Sequence, residues 1–546
     1  MGNNQTKAPI NKSGPTSSPV VKNPLLIICP MVIWGILVFI VLWPWIHQID
    51  KRDPSLSAWA HVSAFIWWLV LLWGLHHLFF QVGALFKKRR SPSRTNSKTP
   101  LIAVLYATRD DFDAACCFSC LDQDYKRFSV FICDDSDKPE IREQIDNFER
   151  EHSKKGTKSK CEVLRRGTKR GFKAGNLNDA INKIPAADWI LLIDADQVLT
   201  RSYISDLVGR LPQNADTNVA FVQAAHSAIV KPGESSYFQQ YLSPEVSLYY
   251  VRDLSLRNAC GFVPLLGHGA MISKSAWSAV GGFPEVVSED FAFAIRIANE
   301  GLRGEYVEDI VSKESFPHDF GGFTTRLKKF AAGTAELWRH QVIRFLIGKA
   351  HPVEKWDFLM MLLWYALMPL VTVNGFLGAY VCHRLWVADL PYLHPMLPYL
   401  YSWMIIGIFI LHVSIAKDAA AALRFYFWST AIYTSAMPVA GWSLLKHFFV
   451  KPQFERTPKN QEESRVKVID WVLMIALGVT ALTCSVFWYS PFTPVLFGQG
   501  AAYLLFPLYA HLCKESRWGA LARKLVYVPG LSMIVALYAM WTFGLY

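Results

Sequence analysis

Charged residues are scarce in this chain. Asp, Glu, Lys and Arg together make up 18% of its 546 residues, whereas hydrophobic residues make up 52% and aromatic residues 14%. Soluble enzymes of this length rarely carry so little charge, so the composition indicates a membrane protein with room for more than one domain. The net charge of +12 does not indicate a nucleic-acid partner, because no basic cluster is interleaved with aromatic residues.

Cysteine motifs and signal-peptide features are also missing. The ten cysteines are scattered, and the C-x-x-C formed by Cys117 and Cys120 has neither a second pair nor a histidine cluster beside it. We therefore expect no metal or disulfide site built on cysteine. The first apolar run is followed by no small-residue cleavage site, so we expect it to remain as a membrane helix.

Long apolar runs are what the chain does have. A helix needs roughly 20 residues to cross ~30 Å of hydrocarbon. Runs long enough and without Asp, Glu, Lys or Arg lie at 24–47, 58–86, 358–382, 393–416, 425–445 and 525–546, and 471–513 has room for two crossings broken near Pro491. Basic clusters at 87–94 and between the last two runs predict that these connections are cytoplasmic.

These runs predict the organisation of the chain. Pro438 and Gly441 would permit a break in the fifth run, which we expect to be interfacial or re-entrant, and this leaves about seven crossings with the carboxyl terminus outside. The predicted parts are a flexible N-terminus (1–23), two transmembrane helices (24–86), a cytoplasmic domain with interfacial helices (87–355), two transmembrane helices plus the interfacial or re-entrant segment (356–449), a loop (450–467) and three transmembrane helices (468–546).

Within 87–355, short β-rich runs alternate with helical stretches. Continuous apolar strands of this kind predict an α/β domain with a mostly parallel sheet covered on both faces. Ligands of such sheets bind beyond the carboxyl ends of the strands. The predicted strands are 101–108, 128–135, 161–166, 189–196 and 219–226.

Acidic pairs follow three of these strands. A single Asp at a strand end is usually a turn former, but three pairs crowd negative charge that a cation must balance, and hard oxygen ligands suit Mg²⁺ or Mn²⁺. Asp194 and Asp196 lie two apart on a predicted strand, so both would point toward one metal and one nucleotide. The pairs are Asp110 with Asp111, Asp134 with Asp135, and Asp194 with Asp196.

Three further segments carry candidate chemistry. "TKRGFKAGNLNDAI" (168–181) places Lys169, Arg170 and Lys173 before a helix start, which suits a diphosphate or a solvated basic loop. "GGFPEVVSEDFAFAIRIANEG" (281–301) begins a helix with acids that either complement its dipole or supply a base. "ELWRHQVIRF" (336–345), read as one helix, sets an amide, a guanidinium and an aromatic ring on one face.

The ordered set "DD" (134–135), "KAGNLN" (173–178), "DAD" (194–196), "FVQAAH" (221–226), "SED" (288–290) and "QVIRF" (341–345) resembles the membrane-embedded family 2 glycosyltransferases of the bacterial cellulose, curdlan and hyaluronan synthase type. The resemblance covers roughly 100–465. It implies a GT-A fold, transfer from a nucleotide sugar with inversion, and a divalent cation, Mg²⁺ or Mn²⁺. On the donor side, the resemblance implies nucleoside contacts at Asp110 and Asp135, a diphosphate contact at Lys173, and the D-x-D pair at Asp194 and Asp196.

On the acceptor side, the resemblance implies that Asp290 is the general base and that Gln341 and Arg344 meet the diphosphate and the acceptor region. Phe345 would lie under the acceptor sugar, with Glu289 and His268 nearby. The family's Q-x-x-R-W reads Q-x-x-R-F here, T-E-D reads S-E-D, and its C-G-S segment reads "GHGA" (267–270). "FERTPK" (454–459) is similar to the gating loop F-x-V-T-x-K of cellulose synthases, with matches at Phe454, Thr457 and Lys459.

We therefore expect a processive synthase that extends a β-linked polysaccharide, with UDP-glucose as the donor, and translocates it across the plasma membrane. A non-processive transferase that glycosylates a lipid is the alternative. A transporter with a cytoplasmic binding domain would explain the apolar helices but not the ordered carboxylates. The expected partners are a nucleotide sugar, a growing glycan or lipid acceptor and the bilayer, with accessory subunits left open.

Overall fold

The computed structural model of the protein describes residues 23–87, 99–154, 160–184, 186–212, 218–231, 233–389, 409–410, 413–414, 416, 418–452 and 466–543. Most of the helix predicted at 393–416 lies outside the described residues. So do Phe454, Thr457 and Lys459 of the predicted gating loop.

Two long helical segments precede the domain. The first joins α1 (Leu25–Leu37), a π-helical turn (Val38–Leu42) and α2 (Trp43–Arg52), and the second is α3 (Ser57–Phe86). Their apolar side chains are largely exposed in the isolated chain, which suits a lipid environment. Both are long and apolar enough to cross a membrane, and the two crossings before the domain stay a prediction.

A seven-stranded sheet with the order β3-β2-β1-β4-β6-β5-β7 forms the centre of the domain. All strand pairs are parallel except those of β6, which runs antiparallel to both β4 and β5. The prediction of a mostly parallel α/β sheet is confirmed. The strands are β1 (Ile102–Thr108), β2 (Phe128–Asp134), β3 (Lys160–Arg165), β4 (Trp189–Asp194), β5 (Val219–Ala228), β6 (Ala270–Ser273) and β7 (Arg303–Glu314).

Helices cover both faces of this sheet, and two hydrophobic cores lie between the sheet and the helices. A second π-helical turn lies at Leu248–Asp253. The helices are α4 (Ala114–Leu121), α5 (Pro139–Lys154), α6 (Phe172–Lys183), α7 (Tyr203–Arg210), α8 (Tyr237–Leu242), α9 (Pro244–Ser247), α10 (Arg257–Cys260), α11 (Lys274–Ala279), α12 (Glu289–Asn299), α13 (Phe320–His340) and α14 (Val342–Ile347).

The remaining helices follow the domain. Among the described residues, five helical segments are long and apolar enough to cross a membrane, namely Ile27–Arg52, Ser57–Phe86, Pro352–Val387, Val468–Phe487 and Arg517–Phe543. Between the last two, α18 and α19 are shorter helices that fill the place of a predicted crossing. The helices are α15 (Pro352–Val387), α16 (Ala419–Phe449), α17 (Val468–Phe487), α18 (Thr493–Leu504), α19 (Phe506–Tyr509), α20 (Arg517–Leu525) and α21 (Val528–Phe543).

The fifth apolar run differs from the prediction in one respect. α16 continues through Pro438 as one helix of 31 residues, so the break that a re-entrant segment needs is not there. It packs along α13 of the domain and along α15. Gly441 lies against Pro369 of α15, where an added Cβ would come within 2.9 Å of a side-chain atom.

Candidate active site

The D-x-D segment lies where β4 ends. Asp194 is the last residue of β4, and its amide donates to Gln197 Oε1 at 3.1 Å. Asp196 lies in the following turn, so the predicted strand alternation does not apply to it. Both carboxylates are part-buried at the same sheet edge, and hard oxygen donors of this kind fit a divalent cation such as Mg²⁺ or Mn²⁺.

Lys173 joins this edge from the first turn of α6. Gly171, with φ +69°, turns the chain into that helix. The Lys173 ammonium donates to Asp194 Oδ1 at 2.6 Å and to the Gly267 carbonyl at 2.9 Å. Burial alone would lower the pKa of Lys173, but the carboxylates of Asp194 and Glu289 outweigh it and raise that pKa. The group is therefore a permanent cation beside the D-x-D carboxylates.

Glu289 and Asp290 begin α12 beside the same lysine. Asp290 Oδ1 accepts from the Phe291 amide at 2.8 Å, and Asp290 Oδ2 would lie 3.0 Å from a Cβ added to Gly267. Burial raises the pKa of both carboxyls, and their mutual repulsion adds to the rise for Glu289. A carboxylate with a raised pKa is a stronger base than an ordinary Asp, which suits proton abstraction.

Lys329 of α13 is a site residue that the sequence analysis missed. It lies among Glu289, Asp290, Asp194 and Lys173, and burial lowers its pKa while the nearby carboxylates oppose that shift. The next residue, Phe330, is 46% exposed. In the sequence, Lys329 and Phe330 are followed by the small residues "AAG" (331–333). Small residues allow α13 to pack closely against the loop that ends in Ser288, and this pattern could have indicated that Lys329 lies at the site.

Gly333 sets that close approach. A Cβ on Gly333 would lie 2.0 Å from Ser288 Oγ, so the helix and the S-E-D segment are almost in backbone contact. Any larger residue must displace Ser288, and with it the start of α12.

The structure contradicts the common face predicted for 336–345. α13 ends at His340 and α14 starts at Val342, with Gln341 buried at the junction. Phe345 is 0% exposed, so it is not available to stack on a sugar. Arg344 is exposed and lies close enough to Arg296 to lower the pKa of that guanidinium, although burial is the larger cause. The structure therefore splits the predicted single helix at Gln341, and contact of Gln341 and Arg344 with a substrate stays a prediction.

The acids predicted to contact the nucleoside hold loops in place. Asp110, with φ +57°, accepts from the amides of Asp137 at 2.8 Å and Lys138 at 2.9 Å. Asp135 receives two hydrogen bonds from the buried Arg166, at 2.8 and 2.6 Å. Such a bidentate pair fixes the loop after β2. Direct contact of Asp110 and Asp135 with a nucleoside stays a prediction.

A second cluster surrounds His268. Glu314 Oε2 lies 3.4 Å from His268 Nε2 and 3.4 Å from His226 Nδ1, and the three side chains could together hold a metal ion. Two side-chain amides flank the His226 ring, with Gln223 Nε2 3.3 Å from His226 Nε2 and Gln197 Nε2 3.3 Å from His226 Nδ1. Burial lowers the pKa of His268 to about 4, so its imidazole is neutral near pH 7.

Residues 189–417 match the family described as Glycosyl transferase family group 2. The matched segment is similar to that family and contains the D-x-D pair, the S-E-D segment and Lys329.

Similar curated proteins point to the same class. "Probable glucomannan 4-beta-mannosyltransferase 1" of Arabidopsis thaliana is 26% identical over 42% of this chain and 41% of its own length. "Probable glucomannan 4-beta-mannosyltransferase 11" of the same organism is 25% identical over 48% of this chain and 59% of its own length. The chain thus spans about half the length of the curated relatives it matches. Among solved structures, "Mannosyltransferase PcManGT from Pyrobaculum calidifontis in complex with GDP-Man and Mn2+" has a TM-score of 0.48 at 18% identity, covering 70% of this chain and 99% of that one.

Proposed function

We propose that this protein is an inverting hexosyltransferase that extends a β-linked glycan from a nucleotide-activated sugar. The observation that carries the proposal is the arrangement at one sheet edge, where a part-buried base candidate, Asp290, lies near the cations Lys173 and Lys329, and Lys173 in turn pairs with Asp194 of the D-x-D segment. A base and fixed positive charge in one site are the two elements that sugar transfer from a diphosphate requires.

In the proposed reaction, ionised Asp290 accepts the proton of an acceptor hydroxyl. The hydroxyl oxygen attacks the anomeric carbon from the face opposite the leaving group, so the new C–O bond forms as the bond to the diphosphate oxygen breaks. The electron pair leaves with the diphosphate, whose growing charge Lys173 and Lys329 stabilise. Asp194 and Asp196 would hold a divalent cation, which supplies further positive charge at the diphosphate.

The names of the relatives support a nucleotide-activated hexose as the donor. UDP-glucose was expected from the sequence, and the two plant relatives are named as mannosyltransferases of glucomannan. We propose a processive synthase that uses a hexose donor of this group, UDP-glucose or GDP-mannose, and passes the polymer between its own membrane helices. Asp110 and Asp135 are the proposed nucleoside contacts, and Phe454, Thr457 and Lys459 the proposed gating residues.

We place the catalytic domain in the cytoplasm and the protein in the plasma membrane. The basic residues at 87–94 and near 514–524 support this orientation. The segment boundaries 24–86, 87–355, 356–449, 450–467 and 468–546 are kept as the proposed organisation. A reporter fused to the carboxyl terminus tests it, since a cytoplasmic signal would overturn the orientation.

Purified protein in lipid, supplied in turn with radiolabelled UDP-glucose and GDP-mannose, tests the activity. We expect high-mass labelled product, loss of turnover in Asp290→Asn and retained nucleotide binding in that variant, because general base catalysis contributes ~10²–10⁴-fold. Asp146→Asn is the matched control, since Asp146 pairs with Arg165 of the edge strand β3, which β2 and β1 separate from β4. Label confined to an organic-extractable lipid would contradict a polymer product, and an active Asp290→Asn would remove the assigned base.

A further inference from the structure

A buried charge cluster joins the membrane helices to the catalytic domain. Asp357 of α15, His76 of α3 and Arg257 of α10 are 0%, 2% and 1% exposed. Asp357 Oδ1 lies 3.0 Å from His76 Nε2, and Asp357 Oδ2 lies 3.3 Å from Arg257 Nε. The Arg257 guanidinium also lies over the Phe80 ring of α3, 5.1 Å from its centroid. Charges on membrane helices are costly, so a fully buried set with specific partners indicates a role beyond adhesion.

The same carboxylate holds one end of a connecting segment that we call the strap (residues 261–269). The Phe262 amide donates to Asp357 Oδ2 at 2.8 Å. A Cβ on Gly261 would lie 2.3 Å from that oxygen, so only glycine lets the backbone come so near. The Phe262 ring packs edge-on against Phe345 and Phe358, with 5.3 Å between centroids in each pair.

The other end of the strap lies in the candidate active site. The Leu266 amide donates to Gln223 Oε1 at 2.9 Å, and the Gly267 carbonyl accepts from Lys173 Nζ at 2.9 Å. Gly267 also lies against the Asp290 carboxylate. The Gly269 amide donates to the Leu192 carbonyl of β4 at 2.7 Å. A few residues of chain therefore separate the Asp357 anchor from the base and from the diphosphate-side lysine.

We propose that Asp357 is a positioning residue for the transfer reaction. From a membrane helix, it fixes the strap and thereby the places of Gly267, Lys173 and Asp290. This inference rests on the proposed function for the reaction, while the anchoring itself rests on the contacts alone. It also gives Phe345 a role, since its ring helps to clamp Phe262.

The test compares Asp357→Asn with Asp53→Asn. Asp53 pairs with Arg384 of α15 at 3.2 Å, so the control breaks an ion pair on the same helix, at the end far from the strap. Two quantities are measured in the full-length protein in lipid, namely amide hydrogen exchange of peptides covering 261–269 and the kinetics of sugar transfer. For Asp357→Asn we expect exchange of the strap to rise at least tenfold. We expect kcat to fall at least tenfold with the donor KM changed less than threefold, and neither effect in the control.

Unchanged exchange in the strap overturns the proposal whatever the activity does. Faster exchange with unchanged kcat also overturns it, because the strap would then not position the reacting groups. A lower yield of folded protein with normal kcat per nucleotide-binding molecule would show a structural role only. If the wild-type protein transfers no sugar from any donor, the proposed function fails, and the exchange data still decide whether Asp357 anchors the strap. Arg257→Gln, which removes the cation from the same cluster, is expected to loosen the strap in the same direction.

Discussion

Two pairs of a cation and a phenylalanine lie close together in the chain, and the structure gives them opposite environments. In α13, Lys329 is part-buried beside the carboxylates of the site and Phe330 is 46% exposed. In α14, Arg344 is exposed and Phe345 is 0% exposed. The pair in α14 fits the family motif better by residue type, yet Lys329 of α13 is the cation that lies beside the candidate site carboxylates. Residue type alone therefore does not locate a site when the same pattern occurs twice.

The largest difference is expected between the two phenylalanines, in the free energy of unfolding of their alanine variants. Phe345→Ala removes a ring from the aromatic cluster with Phe262 and Phe358 and should lower the free energy of unfolding by about 3–5 kcal/mol. Phe330→Ala should change it by less than ~0.5 kcal/mol, as exposed positions do. Thermal unfolding in detergent checks both. Equal stability losses would contradict the assignment of one ring to packing and the other to a surface.

The next largest difference is expected between the two cations, in kcat/KM. Lys329→Met removes a part-buried positive charge beside the proposed position of the departing diphosphate, and we expect kcat/KM to fall about 100-fold, or ~2.7 kcal/mol. Arg344→Met should change kcat/KM by less than ~3-fold, because its guanidinium is exposed beside Arg296. Steady-state kinetics with the active donor measures both. A larger loss of kcat/KM in Arg344→Met than in Lys329→Met would show that the cation of α14, and not that of α13, contacts the diphosphate.

Gly333 tests how closely α13 must approach the S-E-D segment. Gly333→Ala places a methyl 2.0 Å from Ser288 Oγ, so Ser288 must move, and we expect kcat to fall about tenfold, or ~1.4 kcal/mol. Gly209→Ala in α7 is the control, since a Cβ there meets nothing within 4 Å. Comparable kcat values for the two variants would show that the contact is not needed for turnover.

The smallest effect concerns pH. Burial raises the pKa of Asp290, and Lys329 partly offsets that rise. Because the base must be ionised, activity should fall with decreasing pH at a higher pH than an ordinary Asp would give. Lys329→Met removes an opposing cation, so the acidic limb of the kcat profile should move to still higher pH, whereas Arg344→Met should leave it in place. A limb that moves downward in Lys329→Met would contradict the proximity of the two groups.

The strands that sequence reasoning could find are those with continuous apolar runs. β1 to β5 were predicted because parallel central strands are buried on both faces and contain few polar residues. β6 has only four residues, and β7 (Arg303–Glu314) alternates charged and buried positions on an edge, so neither produced an apolar run. The antiparallel direction of β6 depends on tertiary contacts that no local pattern records.

The residues of the candidate site also divide into those that local sequence locates and those that depend on tertiary packing. Lys173, Asp194, Glu289 and Asp290 were predicted because each lies at a strand end or a helix start, where local sequence sets position. Lys329 was missed because its place depends on how α13 crosses the S-E-D segment at Gly333. The burial of Phe345 was not foreseen, because helical spacing tells which residues share a face and not whether that face is covered.

The antiparallel strand β6 has a consequence for how this enzyme class could be altered. β6 starts at the sheet edge where β4 ends. The strap therefore reaches the site just before β6 begins, whereas Asp194 and Asp196 lie at the end of β4 and just after it. The two sides of the proposed reaction are therefore carried by separate pieces of chain, and Lys173 joins them through Asp194 and the Gly267 carbonyl. Replacing residues 262–268 with those of a relative would change the proposed acceptor side through seven consecutive positions. The strand that carries the D-x-D pair and the proposed nucleotide site would stay unchanged.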